Sequence, residues 1–157
     1  MRLTIKRLGG GVTNLAKDLA KNAQRRVLIG YPAGTVRDTG VSQALIAAIH
    51  EFGSISQGIS ARPFLVRGVF SGRPIYKKAV AESYRSEMLL ILLGAAGSGA
   101  VKSYLVSGEF RSSVPPLAPA TLRARERKAG RPLSTSGNHP LIDTGSLRQS
   151  CTFVIES

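Results

Sequence analysis

The chain has no tryptophan, a single cysteine, two histidines and only nine acidic residues among its 157. One cysteine, Cys151, excludes an intramolecular disulfide and suits a reducing compartment. Two histidines and one cysteine are too few for the usual four-ligand zinc sets. Aromatics are 6% of the chain, so the expected core is aliphatic. Long apolar runs are missing as well. The longest, residues 88–93, falls far short of the ~20 residues a membrane span needs. Residues 1–23 alternate polar and apolar side chains without the continuous stretch of a secretory leader. The expectation is a soluble intracellular product folded as one domain over residues 1–157. A chain of that size buries roughly 70% of its unfolded surface and needs no metal or disulfide to fold.

What the sequence has in excess is positive charge: 22 Lys and Arg against nine Asp and Glu, a net +13. Such a charge attracts polyanions and keeps a chain soluble, but does not choose a fold. Seven basic residues fall in residues 1–26 against Asp18 alone, and five in residues 123–131 against Glu126. One reading is a phosphate-binding face. The other is a solvated basic surface that docks on an acidic neighbour. The second is favoured, because few aromatics interleave with the basic clusters to stack on bases.

Periodicity outlines the elements. Val12, Leu15, Ala16, Leu19, Ala20 and Ala23 recur at helical spacing over residues 11–23. Residues 26–31 read as a strand ended by Pro32 and Gly34. Ser42 is placed to cap a helix over Gln43–Phe52, which Gly53 stops. A Gly/Ser/Gln loop follows, then Pro63 opens a helix over residues 64–70. A longer helix spans residues 73–93, the glycines of 94–99 break it, and residues 100–106 resume it. Residues 108–140 shift to Pro, Ser, Gly and Arg with one helical island near 120–129. That stretch reads as a long irregular C-terminal arm with few core residues, of the kind that orders against a partner. A helical turn at residues 146–149 and a strand at 151–155 end the chain. If the two terminal strands pair, the fold is α+β: a single domain with a small, mostly antiparallel sheet packed by several helices.

Apparent catalytic motifs fail on their surroundings. Asp-Thr-Gly occurs at Asp38 and at Asp143, like an aspartic-protease dyad. The first copy lacks a preceding apolar pair, and Asp143 and Thr144 serve equally well as a helix start. His50-Glu51 lacks the second His of a zinc-protease helix, since position 54 is Ser, so the pair belongs on the polar side of its helix. Residues 94–103 brush against a phosphate-binding loop, but Ala100 and Val101 separate the glycines from Lys102. A hinge between helices explains them better. The carboxylates are scattered, with no cluster to hold a catalytic metal. The expectation is a protein that is not an enzyme and holds no cofactor or metal.

Two blocks carry a resemblance. Ala44-Leu45-Ile46-Ala47-Ala48-Ile49-His50-Glu51-Phe52-Gly53-Ser54, then Ala61-Arg62-Pro63-Phe64-Leu65, resembles the central signature of small tailed-bacteriophage morphogenesis proteins. Pro116-Leu117-Ala118-Pro119-Ala120-Thr121-Leu122, then Pro140-Leu141-Ile142-Asp143-Thr144-Gly145-Ser146-Leu147-Arg148-Gln149-Ser150, resembles their C-terminal signature. These are the neck, head–tail joining and tail-completion proteins of the virion morphogenesis family, and the order of the blocks matches over most of the chain. Residues 131–139 depart from it as an added Ser/Thr/Gly-rich stretch.

The resemblance implies a structural subunit of the virion, assembled in the bacterial host cytoplasm. It implies a ring of copies of this chain, a hexamer or else a dodecamer. That ring would bind a neighbouring neck or connector protein and the tail tube or terminator protein, with double-stranded DNA passing through and no membrane involved. The alternative is a small basic DNA-binding module. Candidate interface residues are Phe52, Arg62, Phe64, Leu117, Leu122, Arg123, Arg125, Arg127, Lys128, Leu147 and Arg148. A strongly basic lumen would grip phosphates, so most arginines are expected to face neighbouring subunits or acidic rings.

Overall fold

The strands at the two ends of the chain pair with each other. β1 (Arg26–Gly30) runs antiparallel to β2 (Thr152–Glu156), with Leu28 opposite Val154 and Ile29 opposite Phe153. The computed structural model describes residues 25–32, 40–83, 88–130, 139–141 and 145–156, together with Lys17, Ala20 and Gly34. The helix expected over residues 11–23 lies outside the described residues, except that Lys17 and Ala20 are helical and exposed.

Between the strands come α1 (Gln43–Phe52), α2 (Leu65–Ser71), α3 (Arg73–Ser83), α4 (Leu89–Tyr104), α5 (Gly108–Ser113), α6 (Pro119–Ala129) and α7 (Ser146–Ser150). The architecture is α+β, with a two-stranded antiparallel sheet and seven helices among the described residues. No described helix is long and apolar enough to cross a membrane.

α4 is the axis of the packing, and its glycines explain why. The expected break over residues 94–99 does not occur, and α4 runs through it unbroken. Gly94 and Gly97 sit on the buried side, where a Cβ on Gly94 would overlap the Phe153 ring and one on Gly97 the Ile29 side chain. The cross-strand pair Ile29–Phe153 therefore seats in a notch that only glycine provides. Gly68 of α2 repeats the device, since a Cβ there would lie 2.8 Å from the Val101 Cα. Glycine costs roughly 1 kcal/mol in a helix interior, and burial of the sheet and of α2 against α4 offsets it. Residues 84–87, which the single expected helix would have crossed, lie outside the described residues.

The core corrects two expectations. It gathers Ala47, Phe64, Val101, Tyr104, Leu105, Phe110, Val114, Leu147 and Cys151, so three of the nine aromatics stand inside an otherwise aliphatic cluster. Tyr104 meets Phe110 edge-on at 5.6 Å, and Tyr31 meets Phe64 at 6.1 Å, the geometry that aromatic quadrupoles favour. The start of the arm also contributes to the core. Residues 108–113 form α5, capped by the Ser107 hydroxyl, which accepts the Phe110 amide at 3.0 Å. That cap drops Phe110 into complete burial, worth roughly 2–3 kcal/mol. Residues 131–138 of the arm lie outside the described residues.

Candidate functional site

The two signature blocks meet in space. α1 ends at Gly53, whose φ of 79° and whose closeness to Ala61 N and Ile59 O (2.9 Å from a Cβ position) leave room for no other residue. The chain then makes a short hairpin, with Ser54 and Ile59 bridged, and returns so that the Arg62 amide donates to the His50 carbonyl at 2.7 Å. This return lays 61–64 beside the end of α1.

Glu51 uses that proximity. α2 begins with Phe64 at its N-cap position, a residue with no side-chain oxygen to accept the orphan amides of a first turn. The Glu51 carboxylate takes the role instead. Its Oε2 accepts the Phe64 and Leu65 amides at 2.8 Å each, and its Oε1 accepts the Val66 amide at 3.2 Å. A carboxylate at a helix N-terminus also opposes the positive end of the macrodipole. Glu51 is therefore buried and structural. The expected place on the polar side of α1 is corrected, because both its oxygens are spent on backbone amides.

The clasp to the second block is made by arginine. Arg62 Nε donates to the Pro115 carbonyl at 3.3 Å and Nη2 to the Pro116 carbonyl at 3.2 Å. Two successive prolines hold an extended backbone without amide donors, leaving these carbonyls free for a planar, multi-donor partner. From α1, Gln43 Nε2 donates to the Ser146 hydroxyl at 2.9 Å, tying the first block to α7. Arg125 of α6 donates to the His139 carbonyl at 3.0 Å, and the buried His139 ring stacks on Phe110. Arg148 donates to the Lys102 carbonyl at 3.0 Å. Between these segments lies a groove of about 460 Å³ lined by Ile46, His50, Arg62, Leu117, Thr121 and Leu147, among others.

The eleven expected interface residues divide accordingly. Phe64 is wholly enclosed in the core and offers no side chain to a partner, a correction, and Leu147 is a core residue that touches the surface only at the groove floor. Arg62, Arg125 and Arg148 bond carbonyls of their own chain, so these guanidinium groups brace the subunit. Leu117 and Leu122 are half-buried beside the groove and on α6. Arg123, Arg127 and Lys128 are exposed on α6, and Phe52 is 79% exposed at the end of α1. The Arg127 and Lys128 charges suit the negative end of their helix.

The chemistry available is limited. Among the described residues no three His, Cys, Asp or Glu gather to hold a metal. Asp38 and Asp143 lie outside the described residues. The glycines that resembled a phosphate loop are inside α4, where the amides serve the helix. The Tyr31 hydroxyl is buried without a well-formed hydrogen bond. Burial pushes it far above the usual tyrosine range, and the neighbouring Cys151 thiol and the Glu51 carboxylate add to the shift. Burial likewise raises the Cys151 thiol, against the opposing pull of Lys102 and the Tyr31 hydroxyl. A thiol held protonated and fully buried is inert.

Two residues with functional promise escaped the sequence reading. Ile55, at the hairpin tip, is fully exposed, and Leu45, on the Phe52 side of α1, is 54% exposed. The available signal was a lone isoleucine inside an otherwise polar Ser/Gln/Gly turn. No family model, curated protein or solved structure matches the chain.

Proposed function

We propose that this chain is a structural subunit of a tailed-bacteriophage virion. In this reading it forms a ring at the head–tail junction, as a neck or tail-completion component that joins connector to tail and lets DNA pass. The observation that carries the reading is the bonding of Arg62 to the Pro115 and Pro116 carbonyls. The two blocks that resemble the virion morphogenesis family are one mechanical unit here. Among their described residues, Glu51, Arg62 and Arg148 brace backbone, as a load-transmitting subunit requires.

The split among the arginines bears on DNA passage. Arg125 is bonded to the His139 carbonyl, so Arg123, Arg125 and Arg127 do not act as one free strip. In the ring, Arg123, Arg127 and Lys128 face acidic surfaces of neighbouring subunits or adjoining rings.

Light scattering and negative-stain microscopy of the purified full chain test this directly. The expected result is concentration-dependent assembly into rings, with DNA affinity no tighter than the non-specific range of about 10⁻⁴–10⁻⁶ M. A chain that stays monomeric and is missing from mature particles overturns it. The exposed Arg123 and Arg127, one turn apart on α6, favour the second reading, a basic DNA-binding module. That reading requires tight duplex binding that falls steeply with salt, by a monomer or dimer.

A further inference from the structure

Arg62 is pinned on one side and open on the other. We infer that the groove beside it takes a short acidic segment with apolar flanks from a different, acidic protein, an inference that stands whether or not the chain forms rings. A guanidinium carries five N–H donors. Nε and Nη2 each give one to the Pro115 and Pro116 carbonyls, and Nη1 keeps its two. No described carboxylate comes within ion-pair distance of Arg62: Glu156 lies 3.9 Å from Arg26, Glu82 lies 4.0 Å from Lys78, and Glu51 is buried on backbone amides. Two bonds to fixed carbonyls set the plane of the guanidinium before any ligand arrives. That is the preorganisation a bidentate carboxylate contact needs.

The walls determine what accompanies the charge. Ile46, Ile59, Leu117 and Leu147 line the groove with Arg62, and its volume is about 460 Å³. Apolar walls around a few fixed polar groups are the usual make-up of a ligand site. A cavity of about 150 Å³ holds a benzene ring, so this groove has room for roughly three side chains of that size. No Asp or Glu stands among the described residues that line it. Arg125, also in the lining, already bonds the His139 carbonyl. The occupant therefore brings one acid between apolar neighbours. A nucleic-acid strand fits poorly, since it carries a phosphate every ~3.4 Å and the described lining holds no Phe or Tyr for bases to stack on. A second copy is disfavoured, because two chains of net +13 repel, whereas a protein of net negative charge is drawn in. The depression on the outer face of the sheet is the contrast: Glu156 lines it, with no Lys or Arg among its described residues. Only the groove at Arg62 suits an acid.

Nuclear magnetic resonance of the isotope-labelled full chain provides the test. The probe is the tripeptide leucine–glutamate–leucine, acetylated and amidated so that its one charge is the side-chain carboxylate. At concentrations up to about 10 mM it is expected to shift the amides of residues 58–62 and 117–121 saturably. Replacing its glutamate with glutamine is expected to weaken binding about tenfold or more, the loss of one charge-assisted pair. Ser60→Glu, at an exposed residue of the groove, puts a competing carboxylate into the same lining as Arg62 and should weaken binding as much, with both Arg62 bonds kept. Ser56→Glu, exposed on the hairpin and outside the groove, should bind as the unsubstituted chain does. Equal binding of the glutamine peptide, or undiminished binding by Ser60→Glu, overturns the proposal. So does the absence of any shift at those residues. A short single strand of DNA that displaces the peptide and binds the same residues more tightly would assign the groove to nucleic acid and overturn it too. Light scattering of the same samples separates the two readings. Peptide binding by a chain that stays monomeric keeps this inference and sinks the ring, and rings that ignore the peptide do the reverse.

Discussion

The Phe64 backbone amide donates to the Glu51 carboxylate at 2.8 Å across thirteen residues of chain, and with Leu65 and Val66 it makes Glu51 the cap of a helix to which it does not belong. The turn at Gly53 and the return of Arg62 to His50 bring the first turn of α2 to this buried carboxylate, which then bonds three of its amides. Glu51→Ala is expected to destabilise the protein by about 2–4 kcal/mol, since it strips charge-assisted hydrogen bonds from buried donors. Glu51→Gln, which keeps an acceptor, should fall between. Urea unfolding checks both, and a loss under about 0.5 kcal/mol for the alanine variant would remove Glu51 from its structural role.

The glycines of α4 are expected to separate by what they touch. Gly97→Ala forces the Ile29 side chain to shift and should cost about 1–3 kcal/mol. Gly99→Ala, where a Cβ meets nothing, should stabilise by about 0.5–1 kcal/mol through helix propensity. Thermal melts of the two variants moving in the same direction would refute the packing account.

Arg62 braces two carbonyls from a partly exposed position, so the loss in Arg62→Ala is expected to stay near about 1 kcal/mol. The sharper readout is local. Hydrogen exchange in and around residues 115–122 should accelerate in Arg62→Ala, and Arg62→Lys should not restore protection, because an ammonium cannot span both carbonyls as a guanidinium does.

Alkaline pH should expose the buried hydroxyl. In the folded chain Tyr31 is raised above its ordinary 10.0, chiefly by burial, so the folded state disfavours the phenolate. Its contribution to stability is fully present below about pH 10 and is lost as pH rises, because the unfolded chain ionises first. The slope is about 1.4 kcal/mol per pH unit. Cys151, raised from 9.0 by burial, adds in the same direction from a lower pH, and Tyr76 adds a smaller part. Tyr31→Phe should flatten this limb and cost little at pH 7, where the hydroxyl lacks a well-formed bond. An unchanged alkaline limb in the variant would show that Tyr31 titrates normally.

Local signals settled a good part of this protein before any tertiary contact. Short β-rich runs marked the two strands, the first ended by Pro32 and Gly34, and α1 runs over Gln43–Phe52 with Gly53 at its end, as periodicity and a turn-forming glycine imply. Element type and boundary are written in neighbouring residues, so they could be read there. What tertiary structure alone decided depends on atoms far away in sequence. Gly94 and Gly97 read as a break and became a seat, because Ile29 and Phe153 arrive from opposite ends of the chain to fill it. Glu51 read as a surface acid and became a cap, because a return of thirteen residues brought orphan amides within reach. Arg62, Arg125 and Arg148 read as partner-facing charge, and each bonds a backbone carbonyl of a segment distant in sequence. A side chain's role is set by what desolvates it and what bonds it, and for these residues neither lies within a helical turn.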